Sequence, residues 1–518
     1  MTKSKASAIN ALLALIQTLV TSLVGLVLGR SILSTLGSGY NGINSTVTQI
    51  IGTLTVLEGG FTLASNVALF APFGAGDHQK VNGILAATHR RFCVVGVMAF
   101  FAGLLLSVLY PLLVTGNIPR WQIAALMLTA LVPTCVNLGL VMKYRVIVLT
   151  AQKEYIISLF SVISCLLGNG AAILLIHLGT GLLAARIAIS LSLLLGYLLI
   201  ALYCRKKYPY VNFKCEPLYE EIKGTRNVVM IKVMSVLYAA APIVIISTIP
   251  EEGALLASVY AVYKTVIFMI KNSLQSLCAA PRLSFGALLA EGDLAKTRRL
   301  FEAYEMVACM GLCVMLGATA FLLFPFVGLY TAGITDVDYH NLPLAVVMLS
   351  AAFIEILHIP SGQIIQMKGE FRVARNMQAA ACAVLLLSAL IGRLFFGIVG
   401  IVASVLLAAL VLAVAEIYWT GKRILGRRLR DFLRNLLPCA LIFTAAAVLG
   451  LWNVIPCHNY VYFVLWGLIT VIVLGGLTLL AYFCVRRREV CELMAMLWRV
   501  LRGSKKNPKQ KENQDVCE

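Results

Sequence analysis

Charge is scarce in this chain. Only 13% of its 518 residues are Asp, Glu, Lys or Arg, against roughly 25% in a soluble protein. Acids are the scarcer sign, with 23 Asp+Glu against 43 Lys+Arg. Hydrophobic residues make up 60% and the mean hydropathy is +0.90. A water-soluble protein of this length would have nowhere to put that apolar surface. The composition excludes a soluble enzyme and predicts an all-α polytopic membrane protein.

Motifs for covalent chemistry are missing as well. There is no G-x-x-x-x-G-K-[ST] phosphate loop, zinc-ligand set or nucleophile triad, so neither ATP hydrolysis nor enzymatic catalysis is supported, and no cofactor or metal is expected. The 14 cysteines, Cys93, Cys165 and Cys278 among them, fall mostly in apolar segments and form no C-x-x-C pair. There Cys behaves as a small hydrophobe. Only Cys457 falls in an outward link, so a disulfide framework is not expected.

What is present is a series of long apolar runs. The first, from about Ala8 to Leu36, is too long for a signal-peptide core and lacks a cleavage site, so it reads as a membrane span. Fourteen spans are expected, at approximately 8–36, 43–72, 86–114, 121–142, 155–177, 181–203, 227–249, 254–281, 301–330, 342–366, 374–394, 397–420, 435–453 and 460–484. Turn residues such as Thr115-Gly116-Asn117 and His177-Leu178-Gly179 join them.

The basic residues orient this series. The alternate links that include both termini carry 36 of the 43 Lys and Arg, whereas the opposite links hold only Arg120 and Arg393. The positive-inside rule then places both termini in the cytoplasm. Most of the net charge of +20 is therefore a topology signal. The runs Arg205-Lys206-Lys207 and Arg427-Arg428 read as such signals and as contacts to anionic membrane lipids. No nucleic-acid partner is expected. The tail after Arg486 opens with an apolar and basic stretch (Leu493, Met496, Leu497, Trp498, Leu501 with Arg499 and Arg502) that suits an interfacial helix. It ends in a polar run, Ser504 to Glu518, expected to be disordered.

An internal repeat organises the spans. Gly76-Asp77 recurs as Gly292-Asp293, 216 positions on. The same offset relates Glu154-Tyr155 to Glu370-Phe371, Gly181 to Gly397, and Lys206-Lys207 to Lys422-Arg423. The repeat unit is six spans, so two parallel six-helix bundles are expected, 1–223 and 224–423. Helices thirteen and fourteen (424–486) and a cytoplasmic tail (487–518) follow. This plan, with short outward links, argues for a carrier rather than a glycosyltransferase or polymerase.

The stretch Leu36-Gly37-Ser38-Gly39-Tyr40-Asn41-Gly42-Ile43-Asn44-Ser45, followed by Leu57-Glu58-Gly59-Gly60-Phe61, resembles bacterial Wzx-type flippases of lipid-linked oligosaccharides. These carry a Leu-Gly-x-x-Tyr-x-Gly-Leu-Asn turn after the first helix and a Glu-x-Gly in the second. The Gly-Asp…Lys segment is similar to the family's acidic-basic loop, and Gly59-Gly60 departs from its usual Leu-Gly. The whole plan is similar to the wider MOP exporter group, which includes the MurJ-type lipid II flippases. The resemblance implies an alternating-access flippase in the bacterial cytoplasmic membrane, serving cell-surface polysaccharide biosynthesis. An anionic lipid-linked oligosaccharide is the implied partner, with polysaccharide-assembly proteins as further partners. It also implies a groove for the polyprenyl tail at helices thirteen and fourteen.

Among the ionisable residues inside the expected spans are Arg30, Arg186, Lys232, Lys264, Lys271, Glu58, Glu355 and Glu416. Such a group costs at least ~2.5–3.5 kcal/mol at membrane depth, so it needs water, a partner or a function. Lys264 and Lys271 lie two turns apart on one helix face, with Tyr260 and Tyr263 nearby. By resemblance, helices one, two, seven and eight line a central cavity, which would add Arg30, Glu58 and Lys232. The functional reading has these cations hold a diphosphate while Glu58 pairs with one of them. The structural reading has Lys232 and Arg30 snorkel to opposite interfaces and Lys264 pair with Glu58.

Glu355 and His358 stand at i and i+3 on span ten, before Pro360. They read as a site for H+ or Na+ coupling or as an interhelical hydrogen bond. Arg186 and Glu416 carry no sharper assignment, and Gly168-Asn169-Gly170 and Gly475-Gly476 read as helix-packing sites. Two competing functions remain beside polysaccharide-precursor export: lipid II translocation and MATE-like drug/cation antiport, the latter expected to present acids to its substrate.

Overall fold

The computed structural model describes residues 3–114, 118–220, 226–279, 285, 288–289, 293–452, 457 and 459–492. The turn at Thr115-Gly116-Asn117 and the tail beyond 492 lie outside them. The described residues are helical throughout, without strands. Twelve of the helices are long and apolar enough to cross a membrane, and the chain is a multi-pass membrane protein.

Three expected spans take a different form. The second is broken into Ser38–Leu54, a short 3-10 turn Thr55–Glu58, and Gly59–Ala75. The break falls at the Glu58-Gly59-Gly60 segment, where consecutive glycines weaken a helix. Spans eleven and twelve form one continuous helical run, Phe371–Trp419, with Gly397 alone outside helical geometry (φ 55°, ψ −131°). Straight, 49 residues would reach about 74 Å, more than twice a hydrocarbon core of ~30 Å. The chain instead bends back at Gly397, and the backbones of Gly392 and Gly400 approach so closely that neither position has room for a Cβ.

The repeat is visible in matching caps. Asp77 accepts a hydrogen bond from the Lys80 backbone N–H at 2.9 Å, and Asp293 does the same from Lys296 at 3.0 Å. Their backbone angles nearly coincide (ψ 84° and 86°). Each aspartate opens a helix longer than expected, His78–Leu113 and Leu294–Tyr330, of 36 and 37 residues. A good N-cap oxygen on an exposed first turn explains why these helices start before their apolar stretches.

The Leu429–Trp452 and Tyr460–Val485 helices pack on Leu294–Tyr330. Gly450 lies against the Phe321 backbone with no space for a side chain. At one end of this contact the buried Arg427 guanidinium donates to both oxygens of buried Glu305, at 2.7 and 2.5 Å, and Asn435 Nδ2 adds a third bond at 2.9 Å. Of the glycines expected at packing contacts, Gly168 sits against Ser192 and Ile189, while Gly170, Gly475 and Gly476 face open space among the described residues. Small residues do not by themselves select the packed face, since lipid-facing positions tolerate them too.

Candidate functional site

A cavity of about 650 Å³ separates helices from the first part of the chain from helices of the second. The Ser38–Leu54 helix contributes Asn41, Asn44, Ser45, Thr48 and Gln49. These positions recur at three- and four-residue spacing, so one polar stripe of an otherwise apolar helix faces the cavity. Across from it, Gly253–Ala279 presents Ala261, Lys264, Thr265, Phe268, Met269 and Asn272, again one stripe. Most of the wall's area is apolar, and amides and hydroxyls make up most of its polar side chains. Among the described residues, the charged ones that line the cavity are Arg186 and Lys264, and no carboxylate does.

Lys264 bridges the two sides. Its Nζ donates to Gln49 Oε1 at 3.1 Å and to the Ala239 carbonyl at 3.0 Å, and lies 5.6 Å from the Tyr260 ring centre. Arg186 on the Gly181–Lys207 helix reaches the Asn44 carbonyl at 3.3 Å and the Thr48 hydroxyl, while its buried Nε has no described partner. The sequence offered no role for Arg186. A signal was available in the polar stripe of Ser38–Leu54, but which helix faces that stripe is a tertiary fact.

The other candidates are placed differently from expectation. Lys271 lines an adjoining cavity of about 90 Å³ and is neutralised by Glu355 at 2.8 Å. Lys264 lines that smaller cavity as well, as the seven-residue spacing on one helix face implies, whereas Lys271 is not among the residues that line the larger one. Glu355 and His358 do not pair with each other. The Leu342–Leu357 helix ends at His358, which turns the imidazole toward Glu416, with Nδ1 2.8 Å from Oε2. Gly362 makes space for that carboxylate, since a Cβ there would stand 2.6 Å from Oε2.

Glu58 does not pair with Lys264. One of its oxygens is buried without a described hydrogen-bond partner, and the charges that act on it most are Arg145 and Lys232. Lys232 itself is exposed. Arg30 spends its guanidinium on the end of the Leu294–Tyr330 helix, donating to the carbonyls of Tyr330 at 2.6 Å and Ala332 at 2.7 Å. A cation at a helix C-terminus is favourably placed both for hydrogen bonding and for the helix dipole.

Arg30 belongs to a latch between the two parts of the chain. Gly37 takes φ 91°, and the turned chain offers the Ser38 N–H and hydroxyl to Asp336 at 2.7 and 2.5 Å. Asn41 Nδ2 donates to Ser258 Oγ at 2.8 Å, and the Tyr339 hydroxyl lies between the Ser38 and Ser258 hydroxyls at 2.6 and 2.8 Å. Gly42 presses on the Ala254 carbonyl, with no room for a Cβ. The Gly37-to-Gly42 segment thus closes one end of the cavity. The sequence marked this turn, but its partners Asp336, Tyr339 and Ser258 went unnoticed because they lie more than two hundred positions away.

The helical arrangement thus leaves a cavity between two facing sets of helices. Neither a protein-family model nor a curated protein matches the sequence. The fold, however, is similar to a structure of the lipid II flippase MurJ in an inward closed conformation, with a TM-score of 0.69 and 12% identity over 90% of this chain and 98% of that one. It is also similar to an inward-facing multidrug resistance MATE family transporter of the MOP superfamily (TM-score 0.61, 17% identity, 82% and 96% of the two chains). The outward-facing form of such a transporter gives a TM-score of 0.57 at 16% identity, over 85% and 96% of the chains. At these identities the likeness is one of fold.

Proposed function

We propose that this protein is an alternating-access flippase for a polyprenyl-diphosphate-linked oligosaccharide in the bacterial cytoplasmic membrane. The observation that carries the reading is the polar part of the cavity wall: amides and hydroxyls suited to sugar, two cations suited to phosphate, and no carboxylate among the described residues. Arg186 and Lys264 are the residues assigned to the anionic head group. Lys271, Arg30, Glu58 and Lys232 support them by ion pairing, by latching and by setting the local field.

In this reading the broken 38–75 segment crosses once and Phe371–Trp419 twice, giving fourteen crossings with both termini cytoplasmic. The halves 1–223 and 224–423 rock against each other, and the Ser38–Asp336 latch closes the outer end. The last two helices carry the polyprenyl tail. The pairs Lys271–Glu355 and His358–Glu416 are where H+ or Na+ coupling would act. Polysaccharide-assembly proteins would receive the product.

Export of surface polysaccharide in cells tests the proposal. The Arg186→Ala/Lys264→Ala double variant should abolish export while protein remains in the membrane at normal level, and undiminished export would contradict it. A lipid II substrate is the second reading, favoured by the likeness to MurJ. A drug/cation antiporter accords less well with a cavity that presents cations. A glycosyltransferase is tested directly, because purified protein incubated with lipid-linked sugar should form no new glycosidic bond.

A further inference from the structure

A second basic pocket, of about 320 Å³, lies away from the central cavity. It is formed by the His78–Leu113 and Met142–Thr150 helices, the end of Gly181–Lys207, and the 208–214 segment that follows. Lys143, Arg205, Lys214 and His89 line it, and among the described residues no Asp or Glu does. Lys143 and Arg205 are close enough to act on each other electrostatically, a repulsion that an anion between them would relieve.

The walls are organised in advance. The Cys93 thiol donates to the Gly139 carbonyl at 3.4 Å, leaving its sulfur to accept from His89 Nδ1 at 3.4 Å and His89 Nε2 to accept from Lys143 Nζ at 3.1 Å. One proton arrangement satisfies this whole chain. Lys143 also sits 4.6 Å from the Phe213 ring centre. Asn82 pins the closing segment, donating to the Tyr210 carbonyl at 3.0 Å and accepting from the Asn212 N–H at 3.1 Å.

The terminal donors of Arg205 are left over. Arg205 gives its Nε to the Tyr144 hydroxyl at 3.3 Å, and no described residue accepts from its terminal nitrogens. A guanidinium fork and two ammonium groups around one space are the donor set of a phosphate site.

We infer that this pocket binds a phosphate-bearing anion, through Lys143, Arg205 and Lys214, independently of what the central cavity carries. The phosphate comes either from a soluble anion or from a membrane lipid headgroup. The full-length protein in the Arg186→Ala/Lys264→Ala background, which removes the cations of the central cavity, is titrated with inorganic pyrophosphate in phosphatidylcholine nanodiscs and in nanodiscs containing phosphatidylglycerol. For a soluble anion, saturable pyrophosphate binding appears in both discs and weakens about tenfold or more on adding Lys143→Gln/Arg205→Gln. For a headgroup, phosphatidylglycerol raises the Tm and competes with pyrophosphate, and the same two substitutions remove both effects. Arg205→Lys on its own, folded and charged, retains most of the binding. The inference is overturned by the absence of both saturable pyrophosphate binding and phosphatidylglycerol stabilisation, or by effects of equal size with and without Lys143→Gln/Arg205→Gln.

Discussion

The Asp336 carboxylate takes both the backbone N–H and the hydroxyl of Ser38, at 2.7 and 2.5 Å, across 298 positions of chain. Hydrogen bonds to a charged group contribute about 1.5–3 kcal/mol each, so this pair and the Ser258–Tyr339 bridge bias the molecule toward closure at one end. Asp336→Ala with Ser38→Ala should shift the population toward opening there by roughly tenfold or more, since each 1.4 kcal/mol is a factor of ten. Pulsed electron-electron distances between spin labels on either side of the latch measure this. An unchanged distance distribution would mean that the latch does not hold the closed state.

The Lys271–Glu355 contact is read as a neutral pair rather than as half of a phosphate clamp. Lys271→Met alone leaves a carboxylate at depth and should lower the Tm and the transport rate. Adding Glu355→Gln should recover much of both, because the unpaired charge, not the lost ammonium, is the main damage. A double variant as inactive as Lys264→Ala would return Lys271 to substrate binding.

The His358–Glu416 pair is the corresponding test of ion coupling. Gly362→Ala would place a methyl 2.6 Å from Glu416 Oε2 and should push the carboxylate off the imidazole, as should Glu416→Gln by weakening the bond. Both should reduce the dependence of transport on an imposed proton or sodium gradient. Full gradient dependence in both variants would assign the pair to packing alone.

Arg427 and Glu305 show only 1% and 2% side-chain exposure, so neither charge has water to fall back on. Glu305→Ala or Arg427→Ala should destabilise the protein by about 3–5 kcal/mol, read as a lower Tm. Replacing both by Leu and Met should restore most of that stability. This pair fastens the last two helices to the rest, and the single variants should also loosen them to limited proteolysis.

Much of the helical fold was legible in the sequence because a bilayer imposes a simple rule: long apolar runs become helices. The Gly-Asp copies at 77 and 293 were legible for a local reason, as N-caps act within three residues. Lys264 was legible as a charge out of place. What could not be read were the partners. Lys271 and Glu355, His358 and Glu416, and Arg186 and Thr48 meet between helices whose facing sides no one-dimensional spacing specifies. The Glu355–His358 spacing misled for the same reason: a helix end at His358 redirects the imidazole, and neighbours in sequence part company. The 38–75 break was half visible in Gly59-Gly60, but a glycine pair alone does not decide between a bend and an intact helix.

The central claim is that the cavity around Arg186 and Lys264 carries an anionic, sugar-bearing lipid. Purified protein in proteoliposomes, given either a polyprenyl-diphosphate oligosaccharide or a lipophilic cation, tests it most directly. Wild-type protein should translocate the anionic lipid and not the cation, and Arg186→Ala/Lys264→Ala should lower that rate at least about tenfold, the loss of one or more charge-assisted bonds. Translocation of the cation, or of the anionic lipid at an equal rate by the double variant, would contradict it.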